Sequence, residues 1–348
     1  MVRFSDIIGK KLKRDGTVLA REKENRREKL WLSDSQILEV VNNSGFSDPF
    51  LDEKYSENTK VYFNEILEKA TEFQDKIRKD EGISHSPVLA TLHSIMDDDL
   101  VDEMYEYATS IPEDYGLQSH IISVTFASLK VGKGLGYDTK ALLKLGLAAF
   151  LENLGMYKIS DHILNNEGTL SPSEMATIRQ HPEISAQIIG QMGESFQWLA
   201  ETVLQVHERT DGSGYPKGLR GEEISEFASI IGVVDTYVAM TKNRPYRNKH
   251  IQTEAVKSVI ELGKGKFPPR VVKEFLNQIT LFPVNSFVKL NNKSIGRVLS
   301  TDKSQPLRPT IELIYDGLGS KIEERKIIHL SSSPLLYIVE TIDENGLP

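Results

Sequence analysis

The chain has 348 residues, of which 39% are hydrophobic and 26% are charged, and its formal net charge at pH 7 is -8. This length suffices for two or three domains, and the composition excludes global disorder. The absence of cysteine excludes disulfide bonds, thiolate metal sites, iron–sulfur clusters and a cysteine nucleophile. Because non-specific DNA binding needs a basic surface, the acidic balance predicts no DNA partner.

The first residues predict neither secretion nor membrane insertion. The opening MVRFSDIIGKKLKRDG lacks the apolar core of a signal peptide. No stretch of the chain approaches the roughly 20 apolar residues of a membrane span. We therefore expect a cytoplasmic protein.

The pattern along the chain predicts a mainly α protein in three parts. Residues 1–84 form a charged region of unknown role that is mixed or helical, with one amphipathic helix predicted around 60–79. Residues 85–281 show helical spacing, including a capping-box start at Ser171 and Glu174. Residues 282–348 predict a small β domain, with strands at 287–290, 295–300, 310–315, 327–330 and 335–339.

Five predicted helices of the middle region carry polar residues on an otherwise apolar face. A buried carboxylate is costly unless it is paired or coordinated, so these positions favour one polar site inside a helical bundle. Any one of them alone would more simply be a hydrogen-bonded core residue. The positions are His120, Glu152 with Asn153, His181, His207 and Asp235.

A glycine-dependent loop follows the helix that carries His207. Further along, Arg244 and Arg247 follow the helix that carries Asp235. Two guanidinium groups suit a bidentate phosphate contact, although spacing alone equally allows two surface arginines. The loop residues proposed to shape a ligand site are Asp211, Gly212, Gly214, Tyr215 and Pro216.

The stretches SPSEMATIRQHPEISAQII, HERTDGSGYPKGLRGEEIS and IIGVVDTYVAMTKNRPYR closely resemble the HD-GYP family. This family belongs to the HD metallophosphohydrolases, and its members are typically bacterial cyclic di-GMP phosphodiesterases. The resemblance covers roughly residues 85–280 and implies an HD-domain helical bundle whose site holds two, sometimes three, metal ions. Four positions match family ligands, namely His120, His181, His207 and Asp235.

Four other family positions are changed in this chain. Glu152 and Asn153 stand where the resemblance implies the His-Asp pair, Met156 replaces a phosphate-contacting lysine, and Val206 replaces the first of two adjacent histidines. An asparagine offers one neutral carbonyl oxygen and bridges two metals poorly, and valine offers no ligand. We therefore expect the two-metal mechanism to be absent, which favours a protein that is not an enzyme.

Binding of a single iron, manganese or zinc ion remains an alternative. We expect the occupancy of such a site to be reduced or nil. His120, Glu152 and Asp235 would supply its ligands, with His181 or His207 nearby, and Asn153 belongs to the same group. The alternative is a polar core in which Glu152 pairs with a protonated histidine.

Three functions compete. The first is a binding module in bacterial cyclic di-GMP signalling, which recognises cyclic di-GMP or a related nucleotide, a diguanylate cyclase, or another signalling protein. The second is an active cyclic di-GMP phosphodiesterase with an altered metal site. The third and weakest is a structural subunit that assembles through residues 1–80.

Overall fold

The structure is a computed structural model that describes residues 55–110, 116–164, 166, 168–241, 252–279, 282, 286–301, 305, 307–342 and 347. Most of the charged N-terminal region, together with Arg244 and Arg247, lies outside the described residues.

Helices dominate the described chain as far as residue 278. In chain order they are α1 Glu57–Arg78, α2 Ser86–Asp97, α3 Val101–Ser110, α4 Leu117–Gly134, α5 Thr139–Leu151, α6 Asp161–Leu164, α7 Pro172–Ile178, α8 His181–Gly190, α9 Gln197–Leu204, α10 Glu226–Thr241, α11 Gln252–Gly263 and α12 Pro269–Gln278. The predicted mainly α bundle is therefore confirmed.

Helix α4 is the central element of the bundle. Its residues 118–132 are buried without exception. Helices α1, α3, α5, α10 and α12 all pack against it. A helix that is apolar on nearly every face must be enclosed in this way. Any polar side chain on α4, such as His120, therefore needs its partner inside the protein.

The amphipathic helix predicted near residues 60–79 is α1. The Ser56 hydroxyl caps it by accepting a hydrogen bond from the Thr59 amide. Phe63 and Phe73 are buried in the same hydrophobic core as the helices that follow. Val61 is 52% exposed and lies on the solvent face. The buried stripe of α1 thus contributes to the bundle core.

The capping box predicted at the start of α7 is present. The Ser171 hydroxyl accepts from the Glu174 amide at 3.3 Å, and the Glu174 carboxylate accepts from the Ser171 amide at 2.7 Å. Helix α7 ends at Ile178, and α8 begins anew at His181 after a two-residue turn. This break allows the His181 ring to point into the bundle from the first turn of α8.

The C-terminal residues form a five-stranded antiparallel sheet in the order β4-β3-β2-β1-β5. Its strands are β1 Phe287–Leu290, β2 Ile295–Ser300, β3 Thr310–Tyr315, β4 Lys321–His329 and β5 Ile338–Ile342. The first three match their predicted bounds. Strand β4 begins six residues and ends one residue earlier than predicted, and β5 begins and ends three residues later. Val288 and Val298 of the sheet belong to the hydrophobic core that includes the bundle.

Candidate metal centre

The histidines, carboxylates and amide singled out in the sequence come together from five elements. His120 lies in the first turn of α4, Asp235 lies within α10, and His181 opens α8. Glu152 and Asn153 directly follow α5, and His207 lies in the turn after α9. Each element thus presents its polar residue near one of its ends or on its inward face.

Two short contacts define the geometry of the cluster. His120 Nε2 lies 2.8 Å from Asp235 Oδ1, and His181 Nε2 lies 2.9 Å from His207 Nε2. Glu152 joins the two pairs. Its carboxylate offers an oxygen within 4.8 Å of ligand atoms of His181 and His207, and also of His120 and Asp235. The five residues therefore surround one small volume.

The Glu152 carboxylate is the least satisfied group of this cluster. It is 1% exposed, and the side-chain amide of Asn153 donates a hydrogen bond to its Oε1. Its Oε2 is buried without a hydrogen-bond partner among the described residues. A buried polar atom in this state costs about 1–3 kcal/mol and calls for an explanation, such as a bound cation.

The hydrogen bonds of His181 fix its tautomer. Its Nδ1 lies 2.8 Å from the carbonyl oxygen of Ile178, which can only accept. The proton of neutral His181 is therefore on Nδ1, and Nε2 turns a lone pair toward His207 and Glu152. An imidazole held by a backbone carbonyl in this way is the usual arrangement of a metal-binding histidine.

Burial sets the protonation of the cluster. Burial, followed by the nearby charge of Asp235, raises the pKa of Glu152 well above its usual value. Burial, followed by repulsion from His181, lowers the pKa of His207 to about 3. Burial also lowers the pKa of His181. Both imidazoles are therefore neutral near pH 7, which is the form that binds metal.

These residues fit one divalent cation. The cluster offers nitrogen and oxygen atoms as metal ligands. They belong to the unpartnered oxygen of Glu152, the neutral imidazoles of His181 and His207, and the His120–Asp235 pair. Iron, manganese and zinc accept such donors. Val206 contributes no donor and is 1% exposed within the hydrophobic core.

Ser185 and Gly155 hold the Glu152–Asn153 segment against α8. The Ser185 hydroxyl accepts from the Gly155 amide and donates to the Glu152 carbonyl, both at 2.7 Å. A Cβ atom on Gly155 would lie 2.1 Å from the carbonyl oxygen of His181. Only glycine permits this approach, which keeps Glu152 close to the His181 ring.

The loop after His207 is anchored by a buried carboxylate. Glu208 is 3% exposed and accepts hydrogen bonds from three backbone amides, those of Lys217 at 2.6 Å, Gly218 at 3.1 Å and Leu219 at 2.9 Å. Gly212 has a φ of +78°. A Cβ on Gly214 would lie 2.4 Å from the Arg209 amide nitrogen. The loop is thus tightly folded over the end of α9.

Of the predicted loop residues, Tyr215 contacts the cluster directly. Its ring stacks on His207, with centroids 5.0 Å apart and planes 4° from parallel, and its bond to Pro216 is cis. Burial raises the pKa of Tyr215 above its usual value, so the phenol stays protonated. Asp211 instead accepts a hydrogen bond from the Ser213 amide at 2.9 Å and shapes the loop.

Sequence reasoning did not single out Ser185, Glu208 or Arg209 as site residues. Arg209 is half-buried, donates to the carbonyls of Val206 and Glu208, and covers the Phe267 ring at 4.6 Å. A charged pair directly after a predicted helix was the available signal for Glu208 and Arg209. Ser185 offered a polar residue on the apolar face of α8.

Comparison with known proteins agrees with this architecture. Residues 101–271 match the HD domain family, and residues 287–347 match a KOW domain associated with the HD domain. Cyclic di-GMP phosphodiesterase PA4108 of Pseudomonas aeruginosa is 30% identical over 211 residues, covering 61% of this chain and 51% of that protein. Cyclic di-GMP phosphodiesterase PdeB of Borreliella burgdorferi is 28% identical over 215 residues, covering 62% and 56%.

A solved structure shares the fold. Bd1817, an HDG"Y"P protein of Bdellovibrio bacteriovorus, matches with a TM-score of 0.53 at 16% identity, over 69% of this chain and 76% of that one. Residues 101–271 of this chain thus match an HD domain, and its fold is similar to that of an HD-GYP protein. It spans about half the length of the curated relatives described above. None of the helices described is both long and apolar enough to cross a membrane.

Proposed function

We propose that this chain is a binding module of cyclic di-GMP signalling that has little or no two-metal phosphodiesterase activity. It would bind cyclic di-GMP or a related nucleotide, or a protein partner such as a diguanylate cyclase. The observation that carries the proposal is the Asn153 amide bonded to Glu152, where the family resemblance implies a bridging aspartate.

The chemistry of these two side chains opposes a bridge between two ions. The Asn153 amide nitrogen is a donor and is directed at Glu152, so it repels rather than binds a cation. The pair's single carboxylate now lies on Glu152, so the position of the bridging aspartate carries a neutral amide. Val206 is buried in the core at the position where the family resemblance implies another histidine, and its side chain offers no metal ligand. Both changes act against a second metal ion.

One divalent ion, bound by Glu152 with His120 and Asp235 or with His181 and His207, fits the remaining donors. When bound, such an ion polarises phosphate oxygens and lowers the pKa of bound water. In this proposal the protein residues orient the ligand. The Tyr215 phenol offers a proton beside His207, and Arg244 and Arg247 are proposed to add phosphate contacts from outside the described residues.

Two assays on the same wild-type preparation test the proposal. Calorimetry should detect binding of cyclic di-GMP. Chromatography of the nucleotide, incubated with the protein and Mn²⁺ or Fe²⁺, should detect no linear product. Turnover of order 1 s⁻¹, within the common range of enzymes, would contradict the proposal. Absence of both binding and turnover would leave a protein partner as the ligand, to be tested with a purified diguanylate cyclase domain.

One observation favours a second candidate, an active phosphodiesterase with an altered metal site. The unpartnered Oε2 of Glu152 is a carboxyl oxygen that could bind a catalytic ion. This candidate predicts hydrolysis that depends on added metal and is lost in Glu152→Gln. The binding module predicts no hydrolysis in either protein.

A further inference from the structure

Arg179 and His207 both contact the Tyr215 ring beside the candidate metal centre. The Arg179 guanidinium lies over one face of the Tyr215 ring, 5.3 Å from its centroid. The other partner of Tyr215 is the His207 ring, at 5.0 Å and nearly parallel. Arg179 is therefore held one aromatic ring away from a residue of the cluster, at a distance typical of cation–π contacts.

Apart from its contact with the Tyr215 ring, the charge of Arg179 has no partner among the described residues. Its side chain is exposed, and it makes no ion pair or hydrogen bond among the described residues. Other arginines of the bundle differ. Arg78 pairs with Asp161 at 2.6 Å, and Arg270 pairs with Glu226 at 3.3 Å. The five N–H donors of Arg179 are therefore available to a ligand.

The backbone fixes Arg179 at the more open side of the cluster. It is the C-terminal cap of α7, and its amide donates to the Met175 carbonyl at 3.0 Å. Glu152 and His181 are buried, whereas His207 and Tyr215 are partly exposed. A ligand that reaches the cluster beside His207 thus meets the face that Tyr215 and Arg179 form.

We propose that Arg179 binds a phosphate oxygen of the ligand at this entrance, a role that rests on the proposed nucleotide-binding function. A cyclic dinucleotide carries two phosphodiester groups. A cluster that fits one cation can neutralise one of them, and the second needs another positive group. Arg179 meets this need because its planar guanidinium matches phosphate geometry, and the Tyr215 ring limits its freedom before the ligand binds.

The test compares four full-length proteins by calorimetry. They are the wild type, Arg179→Ala, Arg179→Lys and, as the control for a lost arginine, Arg270→Ala. Each is titrated with cyclic di-GMP and, separately, with inorganic pyrophosphate. A charged hydrogen-bonding contact predicts a loss of about tenfold in affinity for Arg179→Ala. The affinity of Arg179→Lys should lie between those of this variant and the wild type. Lysine keeps the positive charge but cannot donate two parallel hydrogen bonds to one phosphate. Arg270→Ala should match the wild type.

The outcomes separate this inference from the function on which it rests. Equal cyclic di-GMP affinity in wild type and Arg179→Ala would overturn the role of Arg179 and leave the binding module intact. Pyrophosphate binding that depends on Arg179, without cyclic di-GMP binding, would support the anion site and overturn the nucleotide function. Binding of neither anion would overturn both. A circular dichroism spectrum matching that of the wild type is required of each variant.

Discussion

The Ser185 hydroxyl donates a 2.7 Å hydrogen bond to the backbone carbonyl of Glu152 and accepts another from the Gly155 amide. Both bonds are buried, and they join the end of α5 to α8. The position of the Glu152 carboxylate relative to His181 thus depends on a side chain outside the cluster.

Replacement of Ser185 by alanine tests this connection. Ser185→Ala leaves one buried amide and one buried carbonyl without their partner, so the free energy of unfolding should fall by about 1–3 kcal/mol. Urea denaturation measures the change. The matched control is Ser123→Ala, because the Ser123 hydroxyl is equally buried but bonds only to the Ser119 carbonyl of its own helix. Equal losses in the two variants would show that Ser185 has no special role.

Glu208 should control the order of the loop that carries Tyr215. Glu208→Gln replaces one of the two acceptor oxygens with a donor that faces the amides of 217–219, so about 1–3 kcal/mol of local stability should be lost. Hydrogen exchange of peptides covering 211–219 should then accelerate. The control is Glu223→Gln, an exposed carboxylate that accepts from the Arg220 amide. Unchanged exchange in Glu208→Gln would refute the anchoring role.

Restoring the family residues should restore metal binding. The variant combines Glu152→His, Asn153→Asp, Met156→Lys and Val206→His, and we expect about two metal ions per chain because the other four ligand positions are already present. Hydrolysis should recover less than metal binding, since the groups that orient the metal ligands have not been rebuilt. Elemental analysis of the variant and the wild type measures the gain.

The buried position of Val206 calls for a companion variant. Its side chain is part of the hydrophobic core, and a histidine there must displace apolar neighbours. A variant with the other three changes but with Val206 retained separates misfolding from failure to bind. If the quadruple variant folds and still binds no additional metal, the helices are not in the geometry that the family resemblance implies.

Much of the fold could be predicted from hydrophobic periodicity, and the errors in the predicted strand bounds have a physical cause. Strands β1, β2 and β3 lie in the interior of the sheet, and their alternating burial made their bounds predictable. Strand β4 is at an edge, and among residues 321–326 the only apolar side chain is Ile322, while the charged residues around it are exposed. Its start at Lys321 therefore could not be read from hydrophobicity.

In the candidate site, too, some residues could be predicted from the sequence and others could not. His120 and Asp235 could be found because each interrupts an apolar helix face. The roles of Glu208 and Ser185 depend on backbone amides and carbonyls, which every sequence contains and which leave no pattern. The contact between Arg179 and Tyr215 joins the turn before α8 to the loop after α9, so only the three-dimensional arrangement reveals it.

The central claim is that this HD domain does not assemble a two-metal centre, and the metal content of the wild-type chain tests it most directly. The protein is purified without chelators, incubated with Mn²⁺, Fe²⁺ or Zn²⁺, freed of unbound ions and analysed by elemental mass spectrometry. Because Asn153 and Val206 supply no anionic or imidazole donor, we predict at most about one ion per chain, lost in Glu152→Gln. About two tightly bound ions per wild-type chain would contradict the account.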